Sequence, residues 1–557
     1  MDKQSIKKIL ESVTPVLDQI KMTWMRRPVA GLLNLVEIMS SENEEKNKKI
    51  QNLKDEINRL KGEQGKPDIR PQTTNEDKQD DHSSEKERKK RRKKKKKKIR
   101  SKKRDVVKPD RTVKCEIDKS TLPADAQYKG IKSTVIQDIK ITTDNVEFQR
   151  DIYYSPSLGK TFVAPLPGCY EGEFGPAIKS CILYLYHDCN MTEPAINNFL
   201  NTFNIHMSNA TVSRILIDKK DVFHQEKEDV VDAGLKAPYH QADDTSARVY
   251  GKNHNVHILC NPLFTAYFTR PKKDRLTLLE ILCRGELKFT LNGETLKLLG
   301  GMNLSKKQHK NLVALGNREA MTRVEMDELL LQLFPNPKKH ATNRRNIFEA
   351  SALIYYRSLD HALKHLMCDD APQFNLIAEY KSLCWIHEGR HYKKLRPLFS
   401  SHRKALDDFR EGFWDYYQKL LDYTENPVVG VAEELKEEFD VLFTAKTGYT
   451  QLDERIALTA AKKEALLLPL QFPFLPLHNN ESENGAQHQA RLRDIHLQTR
   501  NEKGTKAKDT FATIVKTARK LNVNIFDYFY DRITQRFSMP SLADLILEKC
   551  DLAPDTS

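Results

Sequence analysis

The chain has 557 residues, 39% hydrophobic and 30% charged, with a formal net charge of +15. That length suggests several domains, and its longest apolar runs, such as Ala465–Leu470 and Ala352–Tyr356, fall far short of the ~18–20 residues of a membrane span. No apolar stretch follows the lysines of Met1–Lys8, so no signal peptide is expected. The nine cysteines form no C-x-x-C pair, which argues against a disulfide framework or a zinc ribbon and for a reducing compartment, cytosol or nucleoid.

The positive charge is concentrated. Residues 86–104 (KERKKRRKKKKKKIRSKKR) hold 16 Lys/Arg and one Glu, a local +15, so the remainder is close to neutral. Such a run buries no apolar surface and is expected to be disordered. It would bind phosphate polyanions without sequence preference, Lys93, Lys94, Lys95 and Arg100 among its contacts; the plainer reading is a solubilising linker.

Residues 1–64 are expected to be helical. Leu32, Val36, Met39, Asn43, Lys46, Ile50, Leu53, Ile57 and Leu60 alternate at spacings of four and three, a heptad seam with two polar central positions. The seam predicts a self-association helix and homo-oligomerisation; the alternative is one amphipathic helix docking on its own domain. Residues 65–112 read as a polar, Pro-containing linker with the basic tract. Residues 113–170 alternate apolar and polar with β-branched residues, which predicts a small β subdomain of several short strands.

Residues 171–236 read as helices. Thr192 can cap a helix with Pro194 in its first turn, and Ile196, Phe199, Leu200 and Phe203 line one face. Asn204-Ile205 makes a turn. Ser208 then caps a second helix with Val212, Ile215 and Leu216 inward. This suits a helix-turn-helix, whose outward Asn209, Thr211, Ser213 and Arg214 would touch DNA. Plain helix packing is the competing reading.

From 237 to 272, three β-prone runs separated by turn residues predict an antiparallel meander. A charged, mostly helical insertion, about 273–345, interrupts it. A helix over Ile347–Leu363 and a buried strand ending at Asp369-Asp370 follow. Long amphipathic helices fill a second insertion, about 390–470. A polar helix opens near Glu481–Glu483, and 501–557 form a C-terminal helical region.

Three carboxylate clusters stand out: Asp243/Asp244, Asp369/Asp370 and Glu481/Glu483. The first two end β-prone runs and the third begins a helix, so they can converge in an α/β fold. Converging carboxylates repel unless they hold hard divalent cations such as Mg²⁺ or Mn²⁺, and two such ions support in-line phosphoryl transfer. The common alternative is ordinary surface acidity.

Further pieces carry a family resemblance: TLPADAQYKG, MTEPAINNFL…MSNATVSRIL, HQADDTSARV, MCDDAPQF, CWIHEGRHYKKL, LPLHNNESE, TRNEKGTKAKDTF and IVKTARKLNVNIFDYF. With the N-terminal heptads and basic segment, they resemble bacterial insertion-sequence transposases of family sixty-six over nearly the whole length. The resemblance implies a multidomain α/β chain: an N-terminal coiled coil, a small β plus helix-turn-helix region, and a ribonuclease-H-like mixed-sheet core over 237–500. It implies Asp243, Asp369 and Glu483 as catalytic ligands of Mg²⁺, with Asp244, Asp370 and Glu481 as register rivals. Cys384, His387 and Arg390 match the family's Cys-Trp-x-His…Arg motif, expected to position structure or DNA. Family members often carry a cysteine-paired zinc ribbon before the helix-turn-helix; Tyr153–Thr161 has serines there, so no zinc is expected. The implied activity is cleavage and strand transfer of double-stranded DNA in a bacterial cytoplasm or nucleoid, without membrane association. The competing class is a catalytically inactive or domesticated transposase acting as a DNA-binding protein.

Overall fold

The computed structural model of the chain describes residues 23–60 and 109–551, apart from 119, 120, 124, 303 and 305. A 38-residue helix, α1 (Thr23–Leu60), comes first. Its seam residues Leu32, Val36, Met39, Ile50, Leu53 and Ile57 are exposed, whereas Leu33 and Glu37 are buried. The helix thus docks on its own chain through a face beside the seam and leaves the seam open.

The small β subdomain expected over 113–170 is reduced to one antiparallel hairpin, β1 (Ile152–Ser155) with β2 (Lys160–Val163). Ile117, Tyr128, Ile131, Ile136 and Ile139 upstream of it are exposed. Alternation makes a strand only where a neighbour buries one face, and among the described residues these side chains find none.

Four helices follow: α2 (Pro176–His187), α3 (Glu193–Asn201), α4 (Asn209–Ile217) and α5 (Asp221–Gly234). The caps are as expected: Thr192 accepts from the Ala195 N–H and Ser208 from the Thr211 N–H. Asn204 makes the turn between α3 and α4 with a left-handed φ of 56°.

The meander is β3 (His240–Val249), β4 (Lys252–Cys260) and β5 (Thr265–Arg270). The first insertion holds α6 (Arg275–Leu282), β6 (Phe289–Leu291), α7 (Gly293–Gly300), α8 (Lys306–Ala314), β7 (Arg318–Met321), α9 (Arg323–Leu333) and α10 (Ala341–Arg357). Strands β6 and β7 form a small separate sheet. Next come β8 (His365–Cys368), β9 (Tyr380–Leu383) and α11 (Trp385–Lys393). The main sheet has the order β5-β4-β3-β8-β9. Its first three strands are antiparallel, while β8 runs parallel to β3 and β9 parallel to β8.

The second insertion holds α12 (Ser400–Glu425), α13 (Val431–Phe443) and α14 (Thr450–Ala460). Four helices close the chain: α15 (Asn480–His496), α16 (Glu502–Leu521), α17 (Ile525–Ile533) and α18 (Leu542–Asp551). No helix among the described residues is long and apolar enough to cross a membrane.

One core joins Leu200 and Val212 of the helix pair, Leu259 and Phe264 of the sheet region, Leu353 of α10, and Phe511 and Phe529 near the C-terminus. The divisions expected at 236 and 500 therefore do not separate cores. A second core gathers around Trp385, with Phe413, Tyr416, Phe439 and Phe443 of the second insertion. The Trp385 indole N–H donates to the Leu466 carbonyl at 2.9 Å, which satisfies its polar atom inside that core. The second insertion takes α1: Glu37 accepts from the Leu398 and Phe399 N–H groups at 2.7 and 3.2 Å and lies 3.0 Å from His402 Nδ1. A carboxylate from α1 thus caps α12, whose own N-cap, Phe399, offers no side-chain acceptor.

Candidate active site

The sheet and the helix that follows it bring Asp369 and Glu483 near enough for their charges to act on Asp243. His240 pairs with Leu366 and Gln241 with Met367, an offset of 126 (366 − 240). Asp369 follows directly on β8 at the same offset from Asp243 (369 − 243), and its charge acts on Asp243. Asp244, next along β3, turns to the opposite face.

Helix α15 lies on the Asp243 face. Asp243 pairs with Ile258 across β3 and β4. Gly485 of α15 sits so close to Ile258 that a Cβ there would lie 3.0 Å from its Cγ2. The first turn of α15 is stitched to β3 beside Asp243. Buried Asn479 donates from Nδ2 to the Ala242 carbonyl at 2.9 Å, and Gln241 Oε1 accepts from the Glu481 N–H at 3.2 Å. The Asn479 N–H donates to Cys384 Sγ at 3.3 Å. Glu483, in this first turn, has a side chain only 12% exposed.

The electrostatics follow from this arrangement. Burial pushes the Asp243 carboxyl up to about 7, aided by the charges of Asp369, Asp244 and Glu483 and opposed by the Asp244 N–H. The rival acids are neutralised instead. Asp244 pairs with Lys273 at 2.7 Å and accepts from Gln373 Nε2 at 2.6 Å. Asp370 pairs with Lys381 at 3.3 Å and Lys462 at 2.9 Å. Glu481 pairs with Lys520 at 2.8 Å. Asp243 and Asp369 make no ion pair among the described residues. They accept from backbone N–H groups, Asp243 from Asp244 at 2.8 Å and Asp369 from Ala371 at 3.1 Å.

The Cys384, His387 and Arg390 motif closes around Glu483. Arg390 Nη2 donates to Glu483 Oε2 at 2.7 Å, and His387 Nδ1 lies 3.5 Å from Oε1. The ligand-type atoms of Cys384, His387 and Glu483 all lie within 4.8 Å of one another. Burial, reinforced by Glu483, pushes the Cys384 thiol up to about 11, so it is protonated at neutral pH and serves as an acceptor for Asn479. Burial also lowers the His387 imidazole, against the pull of Glu483. Glu483 Oε1, His387 Nδ1 and Asn479 Oδ1 are buried without a hydrogen-bond partner.

On α4, Asn209 and Arg214 are exposed, while Thr211 and Ser213 are half-buried. Asn209 Oδ1 accepts from Asn197 of α3 at 2.8 Å, and Arg214 Nη2 donates to Thr211 at 3.1 Å. Lys93, Lys94, Lys95 and Arg100 lie outside the described residues. Asn479 as a tether, and Lys273, Lys462 and Lys520 as neutralising partners, had no local sequence signal. The adjacency of Asn479 and Asn480 only marks a register.

No family model matches the chain. Over 306 residues it is 28% identical to the uncharacterized protein y4jO of Sinorhizobium fredii, covering 54% of this chain and 94% of that protein.

Proposed function

We propose that the chain is a DNA transposase of the insertion-sequence type, cleaving and transferring DNA strands with Asp243, Asp369 and Glu483 as its catalytic carboxylates. One observation carries this reading. Of six candidate acids, Asp243 of β3 and Asp369, just past β8, lack any cationic partner among the described residues, and the charge of Glu483, in the first turn of α15, acts on Asp243. The sheet supports a ribonuclease-H-like core, since three antiparallel strands are continued by two parallel ones.

The donor set suits a hard divalent cation. It offers carboxylate oxygens, burial together with the charges of Asp369, Asp244 and Glu483 raises the Asp243 carboxyl, and buried Glu483 Oε1 has no hydrogen-bond partner. Asp243, Asp369 and Glu483 would hold Mg²⁺ or Mn²⁺, which when bound supplies activation of water and neutralisation of charge at the scissile phosphate. Arg390 and His387 orient the Glu483 carboxylate, and Asn479 fixes the start of its helix on β3. Helix α4 and residues 86–104 bind double-stranded DNA, and the open seam of α1 joins two copies.

The test is strand cleavage of a DNA carrying the element's own ends, in Mg²⁺, with wild type and Asp243→Asn side by side. Cleavage by wild type and its loss in the variant, with DNA binding retained, supports the reading. A wild type that binds DNA but never cuts it points to a DNA-binding protein instead.

A further inference from the structure

We infer that a strip of cations along α16 and α15 is a docking surface for the phosphate backbone of duplex DNA, separate from α4 and from the basic tract; this rests on the DNA-acting reading above. Lys508, Ala512, Lys516 and Arg519 recur at steps of four, four and three, and so share one side of α16. Ala512 packs with Ala486 of α15 and with Val256, Ile258 and Tyr267 of the sheet, so this side borders α15. There α15 brings up a further cation, Arg491, and His488, whose imidazole is uncharged at neutral pH.

Little neutralises these charges. Arg519 pairs with Asp188 at 2.6 Å. Arg491, Lys508 and Lys516 make no ion pair among the described residues. His488 Nε2 is buried without a hydrogen-bond partner. Burial, with Lys516, Arg519, Lys508 and Arg491, holds the His488 imidazole down to about 3. Burial, then Arg519, lowers the Lys516 ammonium to about 8 against the pull of Asp188. Cations crowded in this way are stabilised by an anion laid across them.

The strip also runs from the helix pair toward the candidate active site. At the start of α16, a Cβ at Gly504 would sit 3.7 Å from Ile217 of α4. Further along, α16 flanks α15, whose first turn holds Glu483. Lys508 to Arg519 spans about 16 Å of helix, close to five base-pair steps along a duplex axis. The surface therefore connects the helix pair to the candidate active site.

The experiment uses the full chain, a generic duplex of about 30 base pairs and a salt titration followed by fluorescence anisotropy. One variant carries Arg491→Gln, Lys508→Gln and Lys516→Gln. A control carries Lys404→Gln, Lys419→Gln and Lys446→Gln, the same charge change on exposed positions of the second insertion and its loops. The strip variant should bind at least ~10-fold more weakly and lose about two to three from the slope of log K against log salt. Its melting midpoint should hold or rise, because mutually repelling groups are gone. Binding and slope equal to the control overturn the inference, as does weakening confined to anionic vesicles. If the strip variant binds like the control while Asp243→Asn still abolishes cleavage, the strip fails and the transposase reading stands. If the strip binds duplex but wild type never cuts DNA, the transposase reading fails and the strip stands.

Discussion

Replacing Asp243 by asparagine should stabilise the metal-free protein at pH 8 and do nothing near pH 4. The Asp243 carboxyl is raised from 3.8 to about 7 by burial and by Asp369, Asp244 and Glu483. At intermediate pH the folded state therefore keeps a proton that the unfolded chain has released. Stability is full below about pH 4 and is lost as pH rises through 7. A shift of roughly three units at about 1.4 kcal/mol each sets an upper bound near 4 kcal/mol. Part of the shift comes from neighbouring charges that can relax, so the substitution should recover about 1–3 kcal/mol of it. The side-chain amide introduced by Asp243→Asn would keep an acceptor oxygen for the Asp244 N–H, so nothing offsets the gain. Urea unfolding at pH 4.5 and pH 8 measures the difference directly. Millimolar Mg²⁺ should stabilise wild type, by about 2.7 kcal/mol at a hundred times its dissociation constant, and leave the variant where it was. A variant that is weaker than wild type at pH 8, or equally shifted at both pH values, would refute a buried Asp243 carboxyl raised beside other acids.

The neutralised acids give the complementary prediction: Asp244→Asn, Asp370→Asn and Glu481→Gln should cut within about tenfold of wild type, while Asp369→Asn and Glu483→Gln lose at least ~100-fold, about 3 kcal/mol of barrier, in the same cleavage assay. Leu53→Asp with Ile57→Asp places charges in the open seam of α1 and should lower the sedimenting mass without changing the melting midpoint of the core. Deleting residues 86–104 should weaken binding to all duplexes alike and flatten its salt dependence, read by anisotropy. Glu37→Ala removes the acceptor for the Leu398 and Phe399 N–H groups, costs about 1 kcal/mol as a lost cap, and should expose α1 to limited proteolysis while α12 persists.

The elements that were legible in the sequence are those whose burial pattern is local. Strand β4 turns fully buried over Val256–Cys260, and β8 is an unbroken buried run, so both announce themselves by their apolar residues. The helix caps at Thr192 and Ser208 were legible because each bond spans three residues. The alternating residues upstream of β1 misled, because alternation describes a strand's faces and not whether a partner exists. The docking face of α1 was hidden for a different reason. Glu37 is chemically a surface residue, and only the two N–H groups at Leu398 and Phe399, more than 360 residues away, make its burial favourable.

The choice among the six acids shows the same limit at the site itself. Asp243-Asp244 and Asp369-Asp370 are identical pairs in sequence, and Glu481 and Glu483 differ only by two positions in one helical turn. What separates them is their surroundings: the strand period turns Asp243 to the α15 face and Asp244 away from it, while Asp369 acts on Asp243 and Asp370 is held by lysines. On the far face, Lys273 comes from the end of the meander and Lys381 and Lys462 from beyond β8, and each meets a carboxylate that needs a counter-charge. On the near face, no lysine comes to Asp243 or Asp369 among the described residues, although Lys520 neutralises Glu481 only two residues from Glu483. A fold that needed merely to stabilise its acids would have paired these two as well, because leaving them unpaired costs free energy while no cation is bound. The cost is consistent with a site whose counter-charge arrives with the ligand, and the pH 8 stability of Asp243→Asn with and without Mg²⁺ measures both halves of that statement.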